Sequence, residues 1–292
     1  MKDNPSLPTP QGADRRSSVG VLKQRVAGNA MLPPEEDFLA IEDPLEIELN
    51  YERSGQRVCR ALTLTMRTPG HDADMICGFL FSEGIIAKAA DITSWEFLDG
   101  DDNKPPTQVI VHLRDGLMYD PESHQRNFTT HSSCGVCGKN SLASLSLPAS
   151  LEIRDDTKIN RALIHQLPQI MRTSQPTFQK TGGLHASALF SFIGELRVIR
   201  EDIGRHNALD KVVGAALQSG IIPAPGLILC VSGRMSYEIV QKALVARIPI
   251  IAGVGAPSSL AVTLANDFHV TLLGFVRDNS YNIYSCPERL IG

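Results

Sequence analysis

The sequence predicts an α/β fold, in which a β-rich portion up to about residue 130 precedes a sheet whose strands alternate with helices. Three observations carry this. Residues 227–231, 248–254 and 270–276 are near-continuous apolar runs, as strands buried on both faces require, and helical patterns separate them. Leu45-Glu46-Ile47-Glu48-Leu49 and Leu62-Thr63-Leu64-Thr65-Met66 alternate apolar and polar residues with the period of a half-buried strand. The 292 residues are 42% hydrophobic and 21% charged, which suffices for a sizeable core in one large or two modest domains.

Residues 1–37 hold five prolines and three glycines among charged and small polar residues, without sustained periodicity. Such a segment buries too little to offset its ordering entropy, so a disordered tail is expected, with the folded domain spanning 38–292. The two alternating segments flank Ser54-Gly55-Gln56 and read as a hairpin. Residues 72–81 read as a helix, because Met75, Ile76, Phe79 and Leu80 share a face and Gly84 follows as a stop. Two further strands are expected at 95–98 and 108–113. A polar Ser/Thr/Gly loop follows at 128–139, then a short helix at 140–147 that Pro148 ends.

The later half has a clearer rhythm. Residues 188–192 and 196–199 flank Ile193-Gly194-Glu195 as a hairpin, and Asn207 is placed to cap a helix carrying Leu209, Val212, Val213 and Leu217. Helices at 237–246 and 259–266 then link the three apolar strands. Right-handed crossovers put the loops 232–236, 255–258 and 277–280 along one sheet edge, outside the strands' carboxyl ends, where α/β sheets bind ligands.

Composition excludes several classes. Lys and Arg number 28 against 32 Asp and Glu, a net charge of −4 with a pI near 6.1, so there is no basic field for nucleic acid. The longest apolar stretch, 244–264, is broken by Arg247, Pro249 and Pro257 and does not read as a membrane span. Arg15-Arg16 has the outline of a twin-arginine export signal, but residues 20–37 carry Lys23, Arg25, two prolines and three acids in place of an apolar core. The expected compartment is the cytoplasm. Six cysteines are too few for a disulfide scaffold in so long a chain, and only Cys134 and Cys137 form a pattern.

That pattern is Ser132-Ser133-Cys134-Gly135-Val136-Cys137-Gly138-Lys139. A haem site would need His where Gly138 stands, and a zinc ribbon would need a second Cys/His pair. His131, Cys134 and Cys137 could supply three metal ligands, with no fourth evident. A zinc deaminase would need His-x-Glu and Pro-Cys-x-x-Cys, which are absent. The other chemistry open to the pair is redox or sulfur handling, with a thiolate nucleophile whose pKa Lys139 or a following helix lowers. Thiolate attack on a sulfane sulfur gives a persulfide. Simple burial of both cysteines is the remaining reading, and a Gly/Ser loop is a poor core for it.

A second group of residues suits an anion. Gly182 and Gly183 of Thr181-Gly182-Gly183-Leu184-His185 permit close backbone approach, with His185 beside them. Asp202-Ile203-Gly204-Arg205-His206-Asn207 places Arg205 and His206 just before a helix. Ser232-Gly233-Arg234-Met235-Ser236 joins a buried strand to a helix N-terminus, where free N–H groups and Arg234 favour phosphate, and Arg277 follows the next strand. Taken singly, each such loop is more often just a turn, Arg205 alone reads as a surface ion pair, and His185 or His206 as a core histidine. Their convergence on one edge favours a phosphate-bearing ligand. No Gly-x-x-x-x-Gly-Lys-[Ser/Thr] and no Gly-x-Gly-x-x-Gly occurs.

With these residues the sequence closely resembles the formate dehydrogenase accessory sulfurtransferase family, FdhD, from about Asp43 to Ser285. The matching motifs begin with Glu42-Asp43-Pro44-Leu45-Glu46-Ile47, Met66-Arg67-Thr68-Pro69-Gly70 and residues 78–86. They continue with Cys134-Gly135-Val136-Cys137-Gly138, Thr181 to His185, and Asp202 to Lys211. Residues 236–243, 256–261 and Gly274-Phe275-Val276-Arg277 complete them. The resemblance implies a carrier that accepts sulfane sulfur from a cysteine desulfurase and passes it to the bis-guanine-dinucleotide molybdenum cofactor before insertion into formate dehydrogenase. It implies a cytidine-deaminase-like sheet with flanking helices, a homodimer, and the molybdenum cofactor as bound substrate, with no permanent cofactor or resident metal. By it Cys134 is the persulfide carrier and Cys137 a helper or relay. Phe275, Val276, Arg277, Asp278, Asn279 and Ser280 belong to the cofactor-binding segment. The guanine-nucleotide halves and their pyrophosphates would account for the anion-friendly edge. The alternatives are a chaperone that binds the finished cofactor without handling sulfur, and a metal-dependent nucleoside deaminase.

Overall fold

A computed structural model of the chain describes residues 17–292, apart from 102–103, 118, 121–146, 155 and 224. The N-terminal segment expected to be a disordered tail is paired from residue 18 onward. Ser18–Lys23 (β1) and Glu35–Ala40 (β4) pair antiparallel, with Val26–Ala27 (β2) and Ala30–Met31 (β3) forming a small ladder between them. Residues 17–37 are therefore a ribbon and not a disordered tail, while 1–16 lie outside the described residues. Composition hid the cross-strand partners: Lys23 Nζ lies 3.1 Å from Asp37 and 3.6 Å from Glu35. Pro33 and Pro34 fall between strands, where no ladder N–H is needed.

The expected hairpin forms and is longer than its alternating segments, running over Asp43–Arg53 (β5) and Gln56–Arg67 (β6). Its turn residues Ser54 and Gly55 both have positive φ, 53° and 77°, as a tight hairpin turn requires. Alternation buries Leu45, Ile47, Leu49 and Tyr51 almost completely. The helix α1 covers Asp72–Ser82. Ile92–Leu98 (β7) and Gln108–Leu113 (β8) complete a four-stranded sheet in the order β6-β5-β8-β7, with β8 parallel to β5. The cysteine loop and the expected helix at 140–147 lie, but for Leu147, outside the described residues.

Ile159–Asn160 (β9) leads into three short helices that the sequence pattern did not announce, Arg161–Ile164 (α2), Leu167–Thr173 (α3) and Pro176–Thr181 (α4). Then come His185–Ser191 (β10), Leu196–Asp202 (β11), Arg205–Gln218 (α5), Leu227–Val231 (β12) and Tyr237–Val245 (α6). Ile250–Gly253 (β13), Ser259–Asp267 (α7), Thr271–Arg277 (β14), Ser280–Ser285 (β15) and Leu290–Ile291 (β16) end the chain. The six-stranded sheet has the order β11-β10-β12-β13-β14-β15, parallel at its centre and antiparallel at both flanks. The loop at 277–280 is thus a hairpin turn into β15, not a crossover.

Both faces of the central strands are covered, which explains their continuous apolar text. Leu229 and Val231 of β12 join a core shared with α1, α5, α6 and the four-stranded sheet, whereas Ile228 and Cys230 pack with α2 and α3 on the other side. Helices α1 and α5 touch backbone to backbone. A Cβ on Gly78 would lie 1.9 Å from the Asp210 carbonyl oxygen, and one on Gly214 would lie 1.9 Å from that of Asp74. Among the described residues no helix is long and apolar enough to cross a membrane.

Candidate functional site

Strand directions bring the predicted loops together. Strand β10 runs against β12 with Ser187 opposite Val231, and His185 pairs with Asp202 of β11. The start of β10, the end of β11 and the loop after β12 therefore share one edge. Ser232 Oγ accepts the Ala186 N–H at 2.9 Å and sits 3.3 Å from His185 Nδ1. A Cβ on Gly233 would come 3.3 Å from the His185 ring and 3.5 Å from Arg205 Cδ, so glycine lets these two side chains close over the loop. The Gly255 N–H donates to Gly233 O at 3.2 Å, the Phe275 N–H donates to Gly255 O at 3.2 Å, and Arg277 Nη1 donates to Val254 O at 2.8 Å. The loops after β12, β13 and β14 are thereby tied into one rim.

Beside this rim lies a cavity of ≈ 720 Å³. It is lined by Gly182, Gly183, His185, Ser232, Val276, Arg277 and Asp278, together with Pro168, Met171 and Arg172 of α3, Gln175 between the helices and Phe178 of α4. Arg172 stacks its guanidinium 4.9 Å from the centre of the Phe178 ring. Of the residues expected at the site, Gly182, Gly183, His185, Val276, Arg277 and Asp278 line the cavity, and Arg205, His206, Arg234, Phe275, Asn279 and Ser280 do not. Phe275 instead adopts φ 54° in the irregular part of β14, and the residue is 43% exposed. Cys134 and Cys137 lie outside the described residues.

Helix α5 starts earlier than expected. Gly204 is its N-cap, Arg205 and His206 occupy the first turn, and Asn207 is no cap. The Asn207 amide donates instead to Met66 O at 2.8 Å and to Asp202 Oδ1 at 3.2 Å. The buried Asp202 carboxylate also accepts the Gly204 N–H (2.8 Å) and the Thr68 N–H (3.1 Å), and it meets Lys211 Nζ at 2.7 Å. Lys211 donates onward to Thr68 O at 2.8 Å. This cluster fixes the rim to β6, and the sequence reading missed it because Asp and Lys ordinarily face water.

The imidazoles are not cations here. Burial pushes His185 below its ordinary range, and the neighbouring Arg205 adds to the effect. Burial takes His206 down to about 4, against the pull of Glu238, with Lys242 and Arg205 reinforcing burial. His206 Nε2 lies 3.3 Å from Ser236 Oγ and 3.4 Å from Glu238 Oε2. Behind it, Lys242 contacts Asp210 at 2.8 Å; burial alone would lower Lys242, but the Asp210 and Glu238 carboxylates outweigh it and hold the ammonium protonated. Positive charge near the cavity therefore comes from guanidinium groups, with Arg277 and Arg172 on its walls.

The fold and the rim define an α/β protein with a ligand-sized cavity where loops converge at the carboxyl edge of parallel strands. The chain belongs to the FdhD/NarQ family, whose model matches residues 40–291. It is 43% identical over 257 residues to the sulfur carrier protein FdhD of Sulfurisphaera tokodaii, spanning 88% of this chain and 93% of that protein. With the sulfur carrier protein FdhD of Streptomyces avermitilis it shares 45% identity over 260 residues, 87% of this chain and 89% of the relative. The crystal structure of a protein from Desulfotalea psychrophila, described as a formate dehydrogenase accessory protein, superposes with a TM-score of 0.70. It is 25% identical and covers 94% of this chain and 99% of that one.

Proposed function

We propose that the protein is a sulfur carrier in formate dehydrogenase maturation. It takes sulfane sulfur from a cysteine desulfurase as a persulfide on Cys134 and passes it to the bis-guanine-dinucleotide molybdenum cofactor before that cofactor enters formate dehydrogenase. The observation that carries this reading is near full-length similarity to proteins named sulfur carrier protein FdhD, in a chain whose single cysteine pattern is Cys134-Gly135-Val136-Cys137. The Cys134 thiolate attacks the outer sulfur of the desulfurase persulfide, that S–S bond breaks, and the desulfurase thiolate leaves. The Cys137 thiolate then attacks Cys134 Sγ and expels hydrosulfide, leaving a Cys134–Cys137 disulfide that a cellular dithiol reduces. The two electrons that turn sulfane sulfur into sulfide come from this thiol pair.

The cavity is suited to a guanine-nucleotide end of the cofactor, which is substrate and not a resident group. Its volume lies in the range of about 300–1,000 Å³ usual for small-ligand sites. Arg277 and Arg172 offer charge to a pyrophosphate, the glycines at 182 and 183 admit close approach, and Phe178 and Met171 give apolar surface to a base. Phe275 to Ser280 are read as the adjoining segment, with Arg205, His206 and Arg234 on the rim behind. The same reading includes the family's cytidine-deaminase-like sheet, a homodimer and a cytoplasmic location.

The test replaces Cys134 by Ala in a host lacking its own carrier, with formate dehydrogenase activity and GDP binding both measured. Activity is expected to vanish while GDP affinity stays at the parent's. Full activity would overturn the sulfur-carrier reading and leave a cofactor chaperone.

A further inference from the structure

The ribbon of β1 and β4 lies N-terminal to the stretch matched by the family model, except for Ala40 at its end. It packs against α4, whose Phe178 faces the cavity and which leads into Gly182 and Gly183 of the cavity wall. We propose that the ribbon is a brace that positions this wall, so that ligand affinity in the cavity depends on side chains that never touch the ligand.

The wall needs support from outside. Helix α4 has six residues, none of them buried, and a helix so short has no stability of its own. On one side the Glu201 carboxylate accepts the Thr177 N–H at 3.1 Å and the Phe178 N–H at 2.7 Å, holding the first turn. From α3, Thr173 O accepts the Gln179 amide at 3.0 Å and Arg172 stacks on Phe178, and the ribbon adds three further contacts. Ser17 Oγ lies 3.1 Å from Thr177 Oγ1, Lys180 Nζ stands 4.0 Å from the centre of the Phe38 ring, and Ala40 borders Gly183, where a Cβ would come 3.9 Å from it. These contacts run from the first turn of α4 to the glycines. The ribbon is closed on itself by the β1–β4 ladder and by the Ile41 N–H donating to Ser17 O at 3.0 Å. A wall released from the ribbon opens locally, and apparent affinity falls with the fraction that remains closed.

The experiment uses the full chain with Ser17→Ala and Phe38→Leu combined, Phe38→Tyr as the aromatic rescue, and Leu22→Ala, 75% exposed, as a surface control. Hydrogen exchange of the amides at 177–184 reads the wall directly. Calorimetric titration with GDP reads the cavity, and this second readout rests on the nucleotide reading above. The double variant is expected to exchange faster across 177–184 and to bind GDP about two- to fivefold more weakly, the equivalent of one exposed cation–π contact. Phe38→Tyr and Leu22→Ala should match the parent. Unchanged exchange at 177–184 in the double variant overturns the brace whatever GDP does. Faster exchange with unchanged GDP affinity overturns its link to the ligand. A parent that does not bind GDP removes the nucleotide reading, and the exchange data alone then decide the brace.

Discussion

Replacing Lys211 by Met should be among the most damaging single changes in the molecule, because it breaks a pair with almost no contact with water. Lys211 is 1% and Asp202 0% exposed, with 2.7 Å between ammonium and carboxylate. Methionine keeps the length of the side chain and removes the charge. Asp202 would keep the Thr68 and Gly204 N–H groups and the Asn207 amide, but its negative charge would lose its counter-ion. The carbonyls of Thr68 and Glu201 would each lose a donor. Breaking a buried pair from one side costs about 3–5 kcal/mol, mostly as the penalty of the stranded charge. At roughly 2–4 °C per kcal/mol for a large domain, the melting temperature should fall by about 6–20 °C. Differential scanning calorimetry at pH 7 measures this, and Lys211→Met combined with Asp202→Asn should recover part of the loss. A fall below about 2 °C for the single variant, smaller than even 1 kcal/mol would produce, would refute the argument that this pair ties the rim to β6.

Two further outcomes are expected. His206 has a folded pKa near 4, below its ordinary 6.5, so the unfolded chain binds the extra proton first. Its contribution is therefore complete above about pH 6.5 and lost as pH falls toward 4, up to about 3 kcal/mol in all. His206→Gln should flatten the decline of melting temperature between pH 6.5 and 4.5, and an unchanged slope would count against a buried neutral imidazole. Arg277→Ala should weaken GDP binding about tenfold, as for one charge-assisted hydrogen bond, and lower the melting temperature by only about 1–6 °C, since the exposed side chain gives up its hydrogen bond to Val254 O and no buried contact. Calorimetric titration beside a melt checks both halves of that expectation.

What was legible in the sequence follows from what local pattern encodes. The β5–β6 hairpin and the buried strand β12 follow from period-two alternation and from an unbroken apolar run, and both were readable. The placing of 232–236 on a ligand edge was readable too, from the rule that ligands sit at strand carboxyl ends, whereas 182–185 reach that edge because β10 runs antiparallel to β12. The ribbon was not, since its stability lies in pairs such as Lys23 with Asp37 and Phe38 with Lys180, which are distant in sequence. Asn207 was misplaced as a cap because a local preference yielded to a tertiary partner, Met66 O, 141 positions away. The part of the cavity lining that α3 and α4 supply went unread for want of an apolar stripe in them, although Pro168 and Pro176 near their first positions were available as start signals. Asp202 and Lys211 stayed hidden because burial of charge is set by the whole fold and leaves no mark on periodicity.

The most direct test of the central claim is intact-mass spectrometry with peptide mapping after incubation with a cysteine desulfurase and free cysteine, without reductant. The account predicts a gain of one sulfur atom on the peptide carrying Cys134 and Cys137, absent from the Cys134→Ala variant. No gain, with a desulfurase that charges a control acceptor in the same reaction, would contradict it.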